Sequence, residues 1–257
     1  MTTIDITLGE VAATLALVGL AAAVSLWRRA ELEQDLAVAV IRSFLQLTAV
    51  GYVIQAIFDS DSLWLVALLL LGMVAFGAVT ARSRAKAVPG ALAAIVPALA
   101  LAAAVTLGLV VALGVFDPEP RYLVPVGGMV IGNSMTAAAV ALNRLSDEVH
   151  DRAGSIEAML ALGATSRQAA SGLVRRSLRS GMIPLIDSTK TTGVVFFPGT
   201  MVGMLVAGAE PLDAVRLQLI LLWALLGSVA LAALVAVSLG YRGFFTAAHQ
   251  LREPPPP

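Results

Sequence analysis

Long apolar blocks alternate with short polar gaps along almost the whole chain. A helix needs about 20 apolar residues to cross the hydrocarbon of a bilayer. Seven blocks have the required length, and they lie at 8–27, 36–58, 63–81, 90–116, 122–143, 183–207 and 215–239. Because backbone groups in lipid must find partners within their own segment, each block is predicted to be a membrane-spanning helix. We therefore predict an all-α integral membrane protein that forms a single transmembrane domain, 1–257.

The composition agrees with this interpretation. Only 13% of the residues are charged and the mean hydropathy is +0.88, whereas a soluble domain carries about 25% charged residues. The net charge is zero, so no basic excess indicates a nucleic-acid partner. The chain has no cysteine, which excludes disulfides and thiolate metal sites.

Charged residues form two sets that alternate along the gaps between the blocks. One set is basic and contains Arg28, Arg29, Arg82, Arg84, Lys86, Arg144, Arg152, Arg167, Arg175, Arg176, Arg179, Arg242 and Arg252. The other set is acidic and contains Asp5, Glu10, Asp59, Asp61, Asp117, Glu119, Glu210 and Asp213, with Arg121 and Arg216 as cations. Basic loops stay in the cytoplasm. We therefore predict a multi-pass protein of the inner (plasma) membrane, with the N-terminus outside and the C-terminus inside.

Only one gap is long, and it lies at 144–182 on the predicted cytoplasmic side. Its sequence is too polar to span a membrane, but apolar residues recur at helical spacing on both sides of Gly163. We predict two short helices that lie at the membrane face and are separated at Gly163.

Polar residues within the second and sixth blocks mark a candidate gate. Arg42 and Gln46 lie four residues apart in the second block, and Asp187, Lys190 and Thr191 lie near the start of the sixth. An ionisable group at mid-depth costs at least about 2.5–3.5 kcal/mol. We predict that Arg42 or Lys190 neutralises Asp187 at an inner gate. The alternative is that both cations simply extend to the lipid headgroups.

A second polar patch, Asn133, Ser134 and Thr136, lies in the middle of the fifth block. The fifth and sixth blocks also contain glycines four residues apart, namely Gly128 and Gly132, and Gly199 and Gly203. Small residues at that spacing let helices approach closely. We predict that the two helices pack tightly and that the patch faces inward on a substrate path. The alternative is that the patch serves helix packing alone.

Pro198 interrupts the sixth block near its middle. Proline removes a backbone hydrogen bond and kinks a helix, and a broken helix at mid-depth is a frequent substrate site. Met201 follows one turn later. Its thioether suits soft metals, although methionine is more often adaptable core, so the sequence leaves any metal ligand open.

Four sequence blocks carry a family resemblance. The segment 157–163 looks like the coupling loop of ABC permeases, with matching Glu157, Ala158 and Gly163 and a departure at Met159. It belongs to a series that reads GNSMTAA at 132–138, IEAMLALGA at 156–164, IPLIDSTKT at 183–191 and FPGTM at 197–201. Together these blocks closely resemble the Fet-type iron-export ABC permease family, which includes plant subunits linked to aluminium tolerance.

The resemblance implies a permease subunit that exports iron or a metal-linked solute. ATP and Mg would be bound and hydrolysed by a separate soluble ATPase, to which Glu157, Ala158 and Gly163 would couple the spans. The chain itself would be no enzyme and hold no cofactor, and it lacks a Gly-x-x-x-x-Gly-Lys phosphate loop. Seven spans are few for a whole transport path, so we expect a homodimer in the lipid bilayer.

Two other classes of protein remain as alternatives. A proton-driven secondary transporter would use Asp187 as the proton relay and Lys190 as its partner, but no internal inverted repeat supports it. A membrane enzyme has less support, because the spans contain no Ser/His/Asp set and no paired carboxylates. The proline-rich tail, 253–257, is predicted to be disordered.

Overall fold

The computed structural model describes residues 8–28 and 30–252. These residues form nine α-helices and a short 3₁₀ helix. They are α1 Leu8–Arg28, α2 Glu33–Ser60, α3 Leu63–Arg84, α4 Ala91–Ala112, α5 Pro120–Asp151, α6 Ala153–Ala161, α7 Ser166–Thr191, α8 Gly199–Val206, α9 Pro211–Gly240 and the 3₁₀ helix Tyr241–Phe244. The all-α prediction is confirmed for this part of the chain. The predicted disordered tail, 253–257, lies outside the described residues, as do Asp5 and Arg29.

Six of the helices are long and apolar enough to cross a membrane, and they are α1, α2, α3, α4, α5 and α9. Each coincides with one of the predicted spans. The protein is therefore a multi-pass membrane protein.

The sixth predicted span, 183–207, is not one continuous helix. Helix α7 begins much earlier, at Ser166, and ends at Thr191. The chain then turns through Gly193, whose φ is +83°, and resumes as the eight-residue helix α8 after Pro198. Glycine allows the left-handed turn and proline cannot donate the next helical hydrogen bond. The predicted interruption of this block at Pro198 is therefore present, but the helix already ends at Thr191, seven residues before the proline.

The long polar gap also differs from the prediction. A break does occur at Gly163, with a φ of +90°, and α6 before it is short as expected. The helix after it, however, is not a separate surface helix, because α7 continues through Pro184 into the apolar block. A polar helix that turns apolar partway along its length looks like two elements in a hydropathy pattern.

The chain forms two compact units, which divide between Asp61 and Ser62. The first contains α1 and α2. Their connection is fixed by Ser25, whose hydroxyl donates to a Glu33 carboxylate oxygen at 2.8 Å and accepts from the Leu32 N–H at 3.0 Å. Because this hydroxyl both donates and accepts a hydrogen bond, it links the end of α1 to the start of α2.

The second unit contains α3 to α9, and α5 lies at its centre with α3, α4, α7 and α9 packed around it. Helix α9 runs parallel to α5, because Gly240 meets Leu142 near the ends of both helices while Val229 lies nearer the middle, beside Asn133. Helix α7 runs antiparallel to α5, because Arg176 reaches Glu148 while Gly181, farther along α7, meets Ala137. After α5, the chain therefore runs back alongside this helix through α7 and α8 before α9 begins.

This arrangement gathers the basic gaps of the second unit at one end. The C-terminal ends of α3, α5 and α9 and the start of α7 meet there, and we call it the basic end. It carries Arg82, Arg84, Lys86, Arg144, Arg152, Arg167, Arg175, Arg176, Arg179 and Arg242. The opposite, acidic end carries Asp117, Glu119, Glu210 and Asp213. The charge segregation expected from the sequence is therefore present in three dimensions within this unit.

Candidate functional site

Helix α6 lies at the basic end and presents part of its surface to solvent. Ile156 is fully buried and anchors the helix to the core, whereas Glu157, Ala158, Met159 and Leu162 are exposed. Leu162 retains 88% of its accessible surface. We call these four exposed residues the α6 surface. An apolar side chain so exposed on a short anchored helix can take part in an interface with another protein.

The two ends of the connection after α6 are well defined. Gly163 adopts the left-handed conformation in which a side chain is strained. Thr165 then caps α7, because its hydroxyl accepts from the Gln168 N–H while the Gln168 side chain accepts from the Thr165 N–H. The capping box starts α7 in a new direction immediately after the α6 surface.

A buried charge cluster was missed in the sequence. The Glu148 side chain is only 3% exposed and contacts three arginines, namely Arg144, Arg152 at 3.0 Å and Arg176 at 2.7 Å. The first two lie four residues before and after Glu148 on the same helix, a spacing that could have indicated the cluster. Arg176 lies on α7, so Glu148 ties α7 to α5 directly beside α6.

The predicted polar patch of α5 is divided between two faces. Asn133 and Thr136 are exposed and line a cavity of about 180 Å³ together with Pro184 and Ser188 of α7. Ser134 is fully buried on the other side of the helix, and its hydroxyl has no hydrogen-bond partner among the described residues. The prediction that the whole patch faces inward was therefore wrong, since a helix places adjacent residues about 100° apart.

The cavity residues of α5 use their polar groups locally. The Asn133 side-chain NH₂ donates to the Met129 carbonyl at 2.8 Å, and the Thr136 hydroxyl donates to the Gly132 carbonyl at 3.2 Å. The Asn133 side-chain oxygen accepts no hydrogen bond from a described residue. A solute in the cavity could therefore be met by oxygen acceptors.

Close packing of α5 and α7 depends on a glycine that the spacing argument did not select. A Cβ at Gly181 would lie 2.8 Å from the Ala137 carbonyl oxygen. By contrast, a Cβ at Gly132, Gly199 or Gly203 would meet nothing within 4 Å. The tight approach was predicted correctly, but its position was wrong.

The break between α7 and α8, 192–198, lies beside the middle of α5. Before it, Ser188 lies at the cavity with Asn133, and after it the Thr200 hydroxyl is 4.0 Å from the Met129 sulfur. Residues 129–133 are central in the predicted span 122–143. The break exposes four large apolar side chains, which are Val194, Val195, Phe196 and Phe197.

The remaining residues of the predicted substrate path lie at the end of this break and in α8. Pro198 is the last residue of the break and immediately precedes α8. Met201 is 8% exposed and thus buried in the unit. Met201 therefore packs in the interior in this structure, in agreement with the alternative that methionine here is core.

The predicted gate pair is formed by Lys190. Its Nζ lies 3.4 Å from the Asp187 carboxylate, and the two side chains are 69% and 64% exposed. Thr191 donates its hydroxyl to the Asp187 backbone carbonyl at 3.0 Å. Arg42 and Gln46 are exposed on α2 in the first unit, so a pairing of Arg42 with Asp187 stays a prediction.

The described residues contain no group of three or more His, Asp or Glu side chains that could hold a metal ion. Oxygen atoms of Asn133 and Thr136 on α5 and of Asp187 and Thr191 on α7 are among the polar groups in this region.

The sequence is similar to one protein family and to several curated proteins over most of its length. The model of the uncharacterised protein family UPF0014 matches residues 8–245. The UPF0014 membrane protein STAR2 of rice (Oryza sativa subsp. japonica) is 40% identical, with 96% of this chain and 86% of the relative covered. Protein ALUMINUM SENSITIVE 3 of Arabidopsis thaliana is 37% identical over 94% of this chain and 88% of its own. The probable iron export permease protein FetB of Escherichia coli (strain K12) is 35% identical over 96% and 95%. No solved structure matches the chain.

Proposed function

The chain belongs to the UPF0014 family, and on that premise we propose that it is the membrane-spanning permease subunit of an ABC transporter. A separate soluble ATPase subunit binds Mg and hydrolyses ATP, and the permease uses this energy to export iron or a metal-linked solute. The substrate class rests on the relative named as a probable iron export permease, which is similar over nearly its whole length.

The α6 surface is the observation that carries the proposal. A partner ATPase is soluble, so its motion must reach the spans through an element exposed at the membrane face. Helix α6 fits this role because Ile156 is buried while Leu162 and Met159 are exposed. Glu148 and Arg176 fasten the neighbouring helices together at 2.7 Å. A push on α6 is therefore transmitted to α5 and α7 rather than absorbed by a loose loop.

The test is to purify the tagged protein from its own membranes and measure ATP hydrolysis and copurified ATPase. We expect Leu162→Asp to remove both, because it places a charge in the proposed interface. Leu113→Asp is the matched control, since Leu113 is 69% exposed at the acidic end. Equal ATPase recovery from both variants would contradict the proposal.

The topology that we propose has seven passages. Six helices can cross as continuous apolar segments, and α7 with α8 returns the chain along α5 to the start of α9. With the basic end inside, the N-terminus lies outside and the C-terminus in the cytoplasm of a cell whose plasma membrane holds the protein. A cysteine at Leu162, in a chain without cysteines, should react with an impermeant maleimide only after the cells are opened.

The substrate path that we propose runs along the break at 192–198. Non-helical backbone at membrane depth is tolerated only where protein covers it or where it lines a water-filled cavity. A homodimer supplies such a cover, and Asn133, Thr136 and Pro198 then lie on the path between the two copies. Ser134 and Met201 are buried behind it and support the wall.

The substrate can be tested in cells that are loaded with iron. Cells without this protein should retain more iron than cells that express it, as measured by elemental analysis. A variant with Leu162→Asp should behave like the deletion, whereas Leu113→Asp should restore the wild-type level. Equal iron in all four strains would show that another solute is carried.

A secondary transporter is the second candidate, and the exposed pair of Asp187 and Lys190 favours it. An ion-coupled carrier would move its solute in liposomes without ATP, and Asp187→Asn would abolish that movement. Transport that requires the ATPase and survives Asp187→Asn would exclude this candidate. Transport that requires ATP but fails with Asp187→Asn would assign the pair to the gate of the permease.

A further inference from the structure

A cavity of about 1200 Å³ lies at the basic end of the second unit, between the end of α3 and the start of α4. The residues that line it form a cationic part and an apolar part. Arg82 and Lys86 provide cationic groups at one side. Val79, Val96 and Pro97 provide an apolar wall on the side that runs along the two helices. None of the features assigned above, the α6 surface, the break or the gate pair, includes these residues.

The two cations are available for a ligand. Both are exposed, and neither has a carboxylate within ion-pair distance among the described residues. This distinguishes them from Arg144, Arg152 and Arg176, which share Glu148. Two unpaired cations beside one cavity attract an anionic group.

The cavity is held in shape by the rest of the unit. Its floor includes Ala85 and Val88, which are 0% and 4% exposed. The 3₁₀ helix after α9 packs against the same loop, since Gly243 lies so close to the Pro89 carbonyl that a side chain there could not be accommodated. The loop that lines the cavity is therefore packed against the rest of the unit.

The apolar wall follows the direction of the membrane-spanning helices. From Ala91 to Pro97 the wall extends about 9 Å along α4, at 1.5 Å per residue. Pro97 also has no N–H, so the Ala93 carbonyl lacks its usual helical donor, and both residues line the cavity. A ligand with a hydroxyl group could donate to this carbonyl, which would otherwise be costly to leave unpaired near hydrocarbon.

We propose that this cavity binds one anionic phospholipid, with the phosphate at Arg82 and Lys86 and an acyl chain along Val79, Val96 and Pro97. The combination of unpaired cations and an adjoining apolar wall fits an amphiphile better than a soluble anion. The ligand would hold the connection between α3 and α4 at the membrane face. The proposal needs only that the basic end lies at a membrane surface, and it stands whether or not the protein is an ABC permease.

The test uses the purified full-length protein in nanodiscs that contain equal amounts of phosphatidylglycerol and phosphatidylcholine. Native mass spectrometry counts the lipids that stay bound when the protein is released. A cation placed beside an anionic headgroup increases its attraction about fivefold, and Arg82 and Lys86 are the cations that line the cavity. The double variant Arg82→Gln/Lys86→Gln should therefore lower the retained ratio of phosphatidylglycerol to phosphatidylcholine about 25-fold.

The matched control is Arg175→Gln/Arg179→Gln, which removes the same charge from the basic end at exposed positions outside the cavity. It should keep the wild-type ratio. A second variant, Val96→Trp, keeps both cations but fills the apolar part, and it should also lose the retained lipid.

Three results would overturn the proposal. One is a wild-type ratio in the Arg82→Gln/Lys86→Gln variant. Another is an equal loss in the control pair, which would indicate general attraction to the basic end. The third is thermal stabilisation of the wild-type protein by inorganic phosphate that equals the stabilisation by phosphatidylglycerol, because the site would then be one for a soluble anion.

Discussion

Two glycines, one near the start of α6 and one in the turn after it, have opposite conformational requirements. Gly163 has a φ of +90°, and Gly154 lies within the helix. Neither would bring a Cβ within 4 Å of another group. Any difference between alanine substitutions at the two sites therefore reports backbone conformation alone.

We expect Gly163→Ala to destabilise the protein by about 1 kcal/mol, since a left-handed conformation strains a side chain. Gly154→Ala should instead stabilise it by about 0.5 kcal/mol, because alanine favours a helix. The midpoint of thermal unfolding in detergent micelles measures both. Shifts of the same sign in the two variants would contradict the observed turn at Gly163.

The buried carboxylate of Glu148 is expected to stabilise the fold by electrostatic attraction to three arginines. Replacing it by glutamine leaves Arg144, Arg152 and Arg176 close together without their shared carboxylate. Breaking a buried ion pair costs about 3–5 kcal/mol, and the half-exposed arginines reduce this to about 2 kcal/mol through water screening. We expect Glu148→Gln to lower the melting temperature clearly.

The control for this change is Asp147→Asn, which removes a neighbouring carboxylate that is exposed and has no ion pair among the described residues. It should leave the melting temperature unchanged within error. Equal melting of both variants would mean that the cluster adds no stability.

At the residue scale the sequence allowed some predictions and not others. Gly163 was identified because glycine next to Thr165 and Ser166 ends a helix by local chemistry alone. Glu148 was not identified, because a charged residue in a polar stretch looks solvated until the partner helix is placed. Its contact with Arg176 joins residues 28 positions apart, and no local pattern contains that information.

At the scale of elements, Gly181 decides how closely α7 approaches α5. A Cβ there would lie 2.8 Å from both the Ala137 carbonyl oxygen and the Ala141 side chain. A backbone oxygen cannot move aside without shifting its helix. We therefore expect Gly181→Ala to destabilise the protein by about 1–3 kcal/mol, as overpacking does, and to reduce transport.

Gly132→Ala provides the comparison, because a Cβ there would meet nothing within 4 Å. This variant should be neutral or slightly stabilising in a thermal unfolding experiment. The spacing of glycines in the sequence predicts instead that Gly132→Ala is the more destabilising variant. The unfolding midpoints of the two variants therefore test which glycine sets the close helix contact.

The hydropathy pattern identified six helices because a continuous apolar segment of sufficient length has few other stable forms in a bilayer. It failed for α7, whose first half is polar and whose second half is apolar. A hydropathy window averages over that change and places the start of a span near Ile183. The helical backbone hydrogen bonds, however, run from Ser166 to Thr191 without a boundary there. Helix continuity depends on those bonds, and the hydrophobicity of a segment does not report them.

At the scale of the whole molecule, the break at 192–198 leaves a patch of apolar side chains exposed on the second unit. Val194 and Val195 are 87% and 76% exposed, and the adjacent backbone is not helical at the depth of Met129. The N–H groups of residues 192–195 donate to carbonyls of α7 and of the break itself, and lipid offers no partner to the backbone groups that stay unpaired. In the proposed homodimer, a second copy of the chain would cover this patch and double the number of spans around the transport path.

The absence of cysteine from the chain makes this testable without removing any native residue. If the break lies near the two-fold axis of the proposed homodimer, a single cysteine at Val194 should form a disulfide-linked dimer when membranes are oxidised, because residues close to such an axis meet their equivalents in the other copy. Leu109→Cys is the control, since Leu109 is exposed on α4 at 56% and α4 does not border the break. If Val194→Cys stays monomeric while it reacts fully with a small water-soluble maleimide, the break faces water rather than a second copy. A dimer from Leu109→Cys alone would assign the interface to α4 and remove the break from the path between the copies.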